Sequence, residues 1–108
     1  MMSAEFILSF EDKNWYATHL KEVMQKITAL ETFSASFEEN EFHLVGTEPR
    51  SSNDWNYDIR LFLEKERIFL EISAHPKSIE RDLSALFEWI RSCTRISIDD
   101  EDGEQSGW

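Results

Sequence analysis

The strongest pattern in the chain is a two-residue alternation of hydrophobic and polar positions between residues 55 and 73. This period is typical of strands with one face on a core. The hydrophobic positions are Trp55, Tyr57, Ile59, Leu61 and Leu63 in the first run, and Ile68, Leu70 and Ile72 in the second. The charged sequence Glu64-Lys65-Glu66 separates the two runs. The pattern therefore predicts a hairpin, with Leu61 and Leu70 in the core.

Shorter alternating runs predict four more strands. Residues 5–10 carry hydrophobic side chains on both faces, which is typical of an interior strand. Residues 32–38 and 41–45 alternate on either side of Glu39-Asn40, where asparagine tolerates the positive φ of a turn. Residues 95–98 form the last strand. The loop residues 46–54 are rich in Gly, Pro, Ser and Asn.

Two segments have the three- and four-residue hydrophobic spacing of amphipathic helices. The first begins at Asp12 or Asn14, which can accept hydrogen bonds from free amides of the first turn, and ends near Leu30. The second is capped by Ser78 and ends near Ser92. The order β-α-β-β-β-β-α-β predicts an α+β fold, in which two helices cover one face of an antiparallel sheet of five or six strands.

The chain length of 108 residues suits one domain, residues 1–108, with an acidic C-terminal tail at 99–108. Cys93 is the only cysteine, so no internal disulfide can form, and this favours the cytoplasm. The first ten residues, MMSAEFILSF, lack a basic region, and their hydrophobic run is too short for a signal peptide or a membrane span.

Negative charge is concentrated in two segments. The chain has 22 acidic and 11 basic residues, a net charge of −11. Residues 99–108 contain five acids and no base, and residues 31–58 contain seven acids and one base, whereas the remainder is balanced. Such charge repels nucleic acid and anionic membranes and attracts cationic partners. The competing explanation is that the charge serves only solubility.

The sequence contains no catalytic or metal motif. His19, His43 and His75 lack the spacing of a metal site, and neither a GxSxG serine nor a glycine-rich phosphate loop is present. Cys93, at a helix end, is interpreted as a buried structural thiol. The run Asp100 to Glu104 resembles part of a calcium loop, but Gly103 follows Asp102 directly and Trp108 ends the sequence before the twelfth position of such a loop. We therefore expect a protein that is not an enzyme and needs no metal or cofactor.

Three tryptophans lie outside the predicted core stripes. Trp15 and Trp89 flank the helical stripes and are interpreted as peripheral core. Trp108 ends the acidic tail. A tryptophan among carboxylates is typical of an interface anchor, although fraying is the default for a chain end.

The two acidic segments are predicted to form one surface for a basic protein. Its residues are Glu38, Glu39, Glu41, Asp54, Asp58, Asp99, Asp100, Glu101, Asp102, Glu104 and Trp108. Carboxylates there would pair with the cationic side chains that a nuclease uses to bind phosphate. We expect a basic protein partner, no nucleic acid, no membrane, and a monomer in the free state.

A small acidic α+β protein that ends in ISIDDEDGEQSGW resembles the immunity proteins that neutralise bacterial nuclease toxins. These include the immunity proteins of contact-dependent growth inhibition and of nuclease colicins. The resemblance lies in size, charge and general style and involves no diagnostic motif. It implies a cytoplasmic, non-enzymatic inhibitor that occludes the toxin domain of a cognate effector.

Two other classes remain open. Acidic chaperones of type III secretion are similar in charge and length, and they imply a dimer that wraps an extended effector segment. They usually open with a helix, whereas this chain is predicted to open with a strand. A small enzyme is the third class, which the missing nucleophile, metal ligands and phosphate loop disfavour.

Overall fold

The computed structural model describes residues 3–50 and 56–108, which form six strands and three helices. The strands are β1 (Ala4–Phe10), β2 (Phe33–Phe37), β3 (Glu41–Leu44), β4 (Ile59–Leu63), β5 (Arg67–Ile72) and β6 (Ile96–Asp100). The helices are α1 (Lys13–Thr18), α2 (Leu20–Thr28) and α3 (Lys77–Cys93). The predicted α+β class is confirmed. None of the described helices has the length and hydrophobicity needed to cross a membrane.

The six strands form one antiparallel sheet in the order β2-β3-β4-β5-β1-β6. The first strand of the chain, β1, lies between β5 and β6, so the prediction of an interior strand is confirmed. The two edge strands are β2 and β6, and they are therefore on opposite sides of the sheet.

The three helices pack on one face of the sheet, here termed the helix face; the opposite side is termed the open face. The core between sheet and helices includes Leu8, Leu44, Ile59, Leu61, Ile68 and Leu70 from the strands and Tyr16, Val23, Ile27, Ile79, Leu83, Phe87 and Ile90 from the helices. Leu61 and Leu70 pair across the ladder and are 0% and 1% exposed. The core positions predicted for both are confirmed.

The first predicted helix is interrupted at His19, where the backbone has φ −106° and ψ 16°. The backbone N–H of His19 donates to the carbonyl of Trp15 at 2.9 Å, and its imidazole ring stacks on the Trp15 ring at 4.6 Å. These contacts close α1 before α2 begins at Leu20. Asp12 caps α1, as predicted, because its side chain accepts from the backbone N–H groups of Asn14 and Trp15.

The third helix begins at Lys77 with Pro76 as its N-cap residue, so the prediction that Ser78 caps it is wrong. Glu48, in the loop after β3, supplies the acceptor instead. Its Oε2 accepts from the backbone N–H of Ser78 at 2.9 Å, and its Oε1 accepts from the Ser78 hydroxyl. The Ser78 Oγ also accepts from the backbone N–H of Thr47 at 3.0 Å. A carboxylate distant in sequence thus fixes the loop to the helix start.

The side chains of Trp15 and Trp89 pack against the core, as predicted for peripheral core residues. Cys93 is exposed, so the prediction of a buried thiol is wrong. Ile90 is the last buried residue of α3, and the final turn of that helix runs past the core.

Candidate functional site

The two acidic segments lie at opposite corners of the sheet. Glu38 and Glu39 are in the turn beyond β2, whereas residues 101–104 follow β6 at the other edge. Five strand spacings, about 24 Å, separate these edges. Strand pairing links Glu41 through Phe62, Phe69 and Ile7 to Asp99 in a row across the sheet. The turn lies on one side of this row and the tail lies on the other. The prediction that the two segments form one acidic surface is therefore wrong.

Asp58 is a buried structural carboxylate, 3% exposed, and this contradicts its predicted place on a binding surface. Its Oδ2 accepts from the backbone N–H of Gly46 at 2.8 Å and from Nη1 of Arg50 at 2.7 Å. The side chain closes the loop before β4. Asp54 and Trp55 lie outside the described residues.

The C-terminal tail folds back on β6. The backbone N–H of Ser106 donates to the carbonyl of Ile98 at 2.9 Å, and Asp99 forms a bridge with Gln105. Trp108 is half-buried, with its ring 6.0 Å from that of Phe87. Trp108 is therefore part of the fold, and the alternative of a frayed end is wrong.

The acids of the tail have different roles. Oδ1 of Asp100 accepts from the backbone N–H groups of Asp102 and Glu104 at 2.9 and 3.0 Å, which holds the turn after β6. The side chains of Glu101, Asp102 and Glu104 are exposed. Asp99 lies in β6 opposite Ile7, on the open face.

The turn between β2 and β3 places Glu38 and Glu39 at φ 51° and 66°. The prediction assigned the positive φ to Asn40, which does not have it. The left-handed region is unfavourable for glutamate because its Cβ approaches the following carbonyl oxygen. Both side chains are exposed beside Phe37.

Two transverse rows of side chains cross the open face. The first, here termed the apolar row, has three hydrophobic residues in its centre and runs in sheet order Phe37, Glu41, Phe62, Phe69, Ile7 and Asp99. The second, the charged row, runs Ala35, His43, Arg60, Glu71 and Glu5. The apolar row thus has a carboxylate on each side of its hydrophobic centre.

The rings on the open face form a continuous ladder across β2 to β5. Phe37 lies 4.7 Å from the His43 ring, which lies 4.7 Å from the ring of Tyr57. The Arg60 guanidinium sits 5.0 Å from the Tyr57 ring and 5.4 Å from that of Phe62. The rings of Phe62 and Phe69 are 5.9 Å apart. Phe37, at the free end of this ladder, is 48% exposed.

The open face carries a surplus of negative charge. Arg60 is the only lysine or arginine of the two rows, and its Nε and Nη2 donate to Oε1 of Glu71 at 2.8 and 2.5 Å. Arg67, opposite Ser9 on the same face, pairs with Glu64 at 2.7 Å. Burial alone would lower the pKa of Arg60, but its contact with Glu71 outweighs burial and raises the pKa. Oε2 of Glu41 lies 2.6 Å from Nε2 of His43. Glu5 and Asp99 add two further carboxylates to the rows.

The predicted site residues thus divide into three groups. Glu41 and Asp99 reach the open face, and Glu38 and Glu39 lie beside its Phe37 end. Asp58, Asp100 and Trp108 hold the fold together. Glu101, Asp102 and Glu104 lie at the far corner.

Sequence reasoning missed the ring ladder, although the signal was present. Phe62 in β4 and Phe69 in β5 occupy positions where the two-residue alternation would place polar side chains. Both strands therefore carry hydrophobic side chains on both faces. Tyr57 was assigned to the core side with Ile59. It lies on the open face instead because β4 begins only at Ile59 and the two residues before it are outside the strand.

The three histidines lie in separate places. His19 contacts the carbonyl of Trp15, His43 pairs with Glu41, and His75 pairs with Glu80 at 2.9 Å. Within residues 3–50 and 56–108, no group of three His, Cys, Asp or Glu side chains is placed to hold a metal ion.

Comparisons with protein-family models, curated proteins and solved structures found no match to this chain.

Proposed function

We propose that the open face binds a basic protein domain, and that the chain is a non-enzymatic inhibitor of the toxin-immunity type. The observation that carries this proposal is the apolar row, in which Phe62, Phe69 and Ile7 lie between Glu41 and Asp99. A hydrophobic centre with a polar rim is the usual composition of a protein interface.

The charge of the face favours a protein over a nucleic acid. Stacked rings on a sheet also bind single-stranded nucleic acids, but those sites lie in positively charged grooves. Here Arg60 is already paired with Glu71, and the remaining carboxylates of the rows would repel phosphate. A lysine- and arginine-rich protein surface is the electrostatic complement.

Inhibition would work by occlusion. Cationic side chains that a nuclease toxin uses to hold phosphate would pair with Glu41, Glu5 and Asp99. Hydrophobic side chains around them would cover Phe62 and Phe69. Charge complementarity raises the rate of association, whereas the buried aromatic contacts slow dissociation.

The test is a growth assay with the basic domain encoded immediately upstream of this chain. That domain should stop growth when expressed alone, and co-expression of this chain should restore growth through an equimolar, salt-sensitive complex. Phe69→Ala should weaken the purified complex at least about tenfold. Trp89→Ala, which removes a half-buried aromatic side chain from the helix layer, is the matched control and should retain affinity.

Two results would contradict the proposal. One is a neighbouring domain that neither stops growth nor binds. The other is a free protein that is a dimer and binds extended hydrophobic peptides independently of salt, which is the behaviour expected of a secretion chaperone.

A further inference from the structure

The two edges of the sheet are built differently. The edge strand β6 is covered, because Ser106 donates to Ile98 and Gln105 bridges to Asp99. The edge strand β2 pairs only with β3, so half of its backbone N–H and C=O groups point away from the sheet. One edge of the sheet is therefore closed by the chain's own tail and the other is left open.

The sequence of β2 lacks the charges and the proline that often protect an open edge. Its residues, FSASF, include no lysine, no other charge and no proline. A register shift between Phe33 and Ala35 disturbs the start of the strand and leaves a regular ladder from Ala35 to Phe37. Edge strands without charges or proline can pair with another extended chain.

A groove runs along this edge on the helix face. Its volume is about 480 Å³, and it is lined by hydrophobic residues together with charged or polar ones: Leu20, Met24 and Phe42, with Lys21, Thr28, Ser36 and Glu39. Because strand side chains alternate between faces, an added strand would place every second side chain in this groove. The others would stand on the open face beside Phe37.

The charges at the two ends of β2 determine which kind of extended chain can pair with it. Glu31, which pairs with Arg81 at 3.4 Å, precedes the strand, and Glu38 and Glu39 follow it; all three are exposed. Two copies of this chain paired antiparallel through β2 would bring Glu38 and Glu39 of each copy towards Glu31 of the other. Like charges in this position, on chains that each carry −11, oppose self-pairing. A basic extended segment of another protein meets no such repulsion.

We propose that β2 binds an extended segment of the basic partner as a seventh strand, with hydrophobic side chains in the groove and basic side chains towards the open face. The inference rests on the proposed function for the identity of the partner. It adds that recognition includes main-chain pairing at one edge of the sheet, a mode known from other peptide-binding domains.

The test is selection from a phage-displayed library of random peptides of roughly eight residues against the immobilised protein. Enriched peptides should alternate basic and hydrophobic residues. Their affinity should fall at least about tenfold for Ser36→Pro, because proline removes a backbone donor and its ring obstructs an added strand. Ser36→Ala, which keeps the backbone N–H, is the matched control and should bind as the unaltered protein does.

A second measurement covers the case in which Ser36→Pro disturbs the fold. In the unaltered protein, a selected peptide should slow hydrogen exchange of the amides of Ser34 and Ser36 but not of Ser97 in β6. Unchanged exchange at β2, equal affinity for Ser36→Pro, or no enrichment would each overturn strand addition. These outcomes leave the growth assay and the Phe69→Ala result to decide the proposed function separately.

Discussion

Single buried polar residues hold the connections of this protein in place. Asp82 of α3 is 6% exposed and accepts from the hydroxyl and the backbone N–H of Thr32 at 2.8 and 2.9 Å. Burial alone would raise the pKa of Asp82, but the hydrogen bonds from Thr32 and Arg81 outweigh it and lower the pKa. The two hydrogen bonds from Ser78 likewise hold the pKa of Glu48 below its ordinary value.

These shifts predict a loss of stability in acid. A carboxylate whose pKa is lowered by folding stabilises the protein fully above its ordinary pKa, 4.5 for Glu48 and 3.8 for Asp82. That contribution disappears as the pH falls through the folded-state value. Urea denaturation from about pH 7 to about pH 3 should show a declining free energy of unfolding.

Substitution of Glu48 tests whether its carboxylate contributes to the decline of the free energy of unfolding in acid. Glu48→Gln should flatten it, whereas Glu88→Gln, at an exposed glutamate of α3, should leave it unchanged. An identical pH profile for Glu48→Gln and the unaltered protein would contradict the assignment.

Removal of the Asp82 carboxylate is a separate prediction. Asp82→Ala should lower the free energy of unfolding by about 1–3 kcal/mol, because it leaves the N–H and hydroxyl of Thr32 buried without an acceptor. Chemical denaturation at neutral pH measures this loss. A double variant that also carries Thr32→Val should recover part of it, since the hydroxyl is then absent.

At the scale of elements, hydrophobic alternation predicted the strands well and the connections poorly. The β4–β5 hairpin was predicted correctly in its core residues Leu61 and Leu70 because burial imposes the two-residue period. The break at His19 was not predictable, since the hydrophobic stripe continues through it. The cap of α3 was also missed, because Glu48 reaches Ser78 only in the folded chain.

The burial of Leu61 in the β4–β5 hairpin can be tested by substitution. Leu61→Ala should lower the free energy of unfolding by about 2–5 kcal/mol, since it removes a fully buried side chain and leaves a cavity. Phe37→Ala, at a side chain 48% exposed, should cost much less. Equal losses for the two variants in chemical denaturation would show that the assignment of faces is wrong.

The β2–β3 turn stores backbone strain that glycine would relieve. Glu38→Gly and Glu39→Gly should each raise the free energy of unfolding by about 0.5–1 kcal/mol, because glycine adopts positive φ without a Cβ penalty. Asn40→Gly, outside the positive-φ region, should lower it. Thermal and chemical denaturation of the three variants would measure these changes, and destabilisation by both glutamate substitutions would contradict the strain.

At the scale of the whole molecule, the charge distribution changes which acids should matter. The sequence shows which residues carry the surplus negative charge. The strand order, which could not be predicted from the sequence, places the turn acids and the tail acids at opposite corners of the sheet. The hairpin acids Glu38 and Glu39 lie in the turn that follows Phe37, whereas Glu101 and Asp102 lie beyond the far edge.

Charge reversal should therefore have unequal effects. Glu38→Lys with Glu39→Lys should slow association with the basic partner more than Glu101→Lys with Asp102→Lys does. Both pairs change the net charge equally, so steering by total charge alone would give equal rates. Stopped-flow association at low and high salt measures the difference, and a larger effect of the tail pair would move the contact to the other corner.

The position of β1 in the sheet has a consequence for synthesis of the protein. Its partners, β5 and β6, lie at residues 67–72 and 96–100, so both follow far behind it in the chain. A ribosome must translate residues 67–72 before Leu8 can pair with β5, and residues 96–100 before Phe10 can pair with β6. Until β5 is synthesised, the first strand has no partner, whereas the β2–β3 hairpin can already assemble.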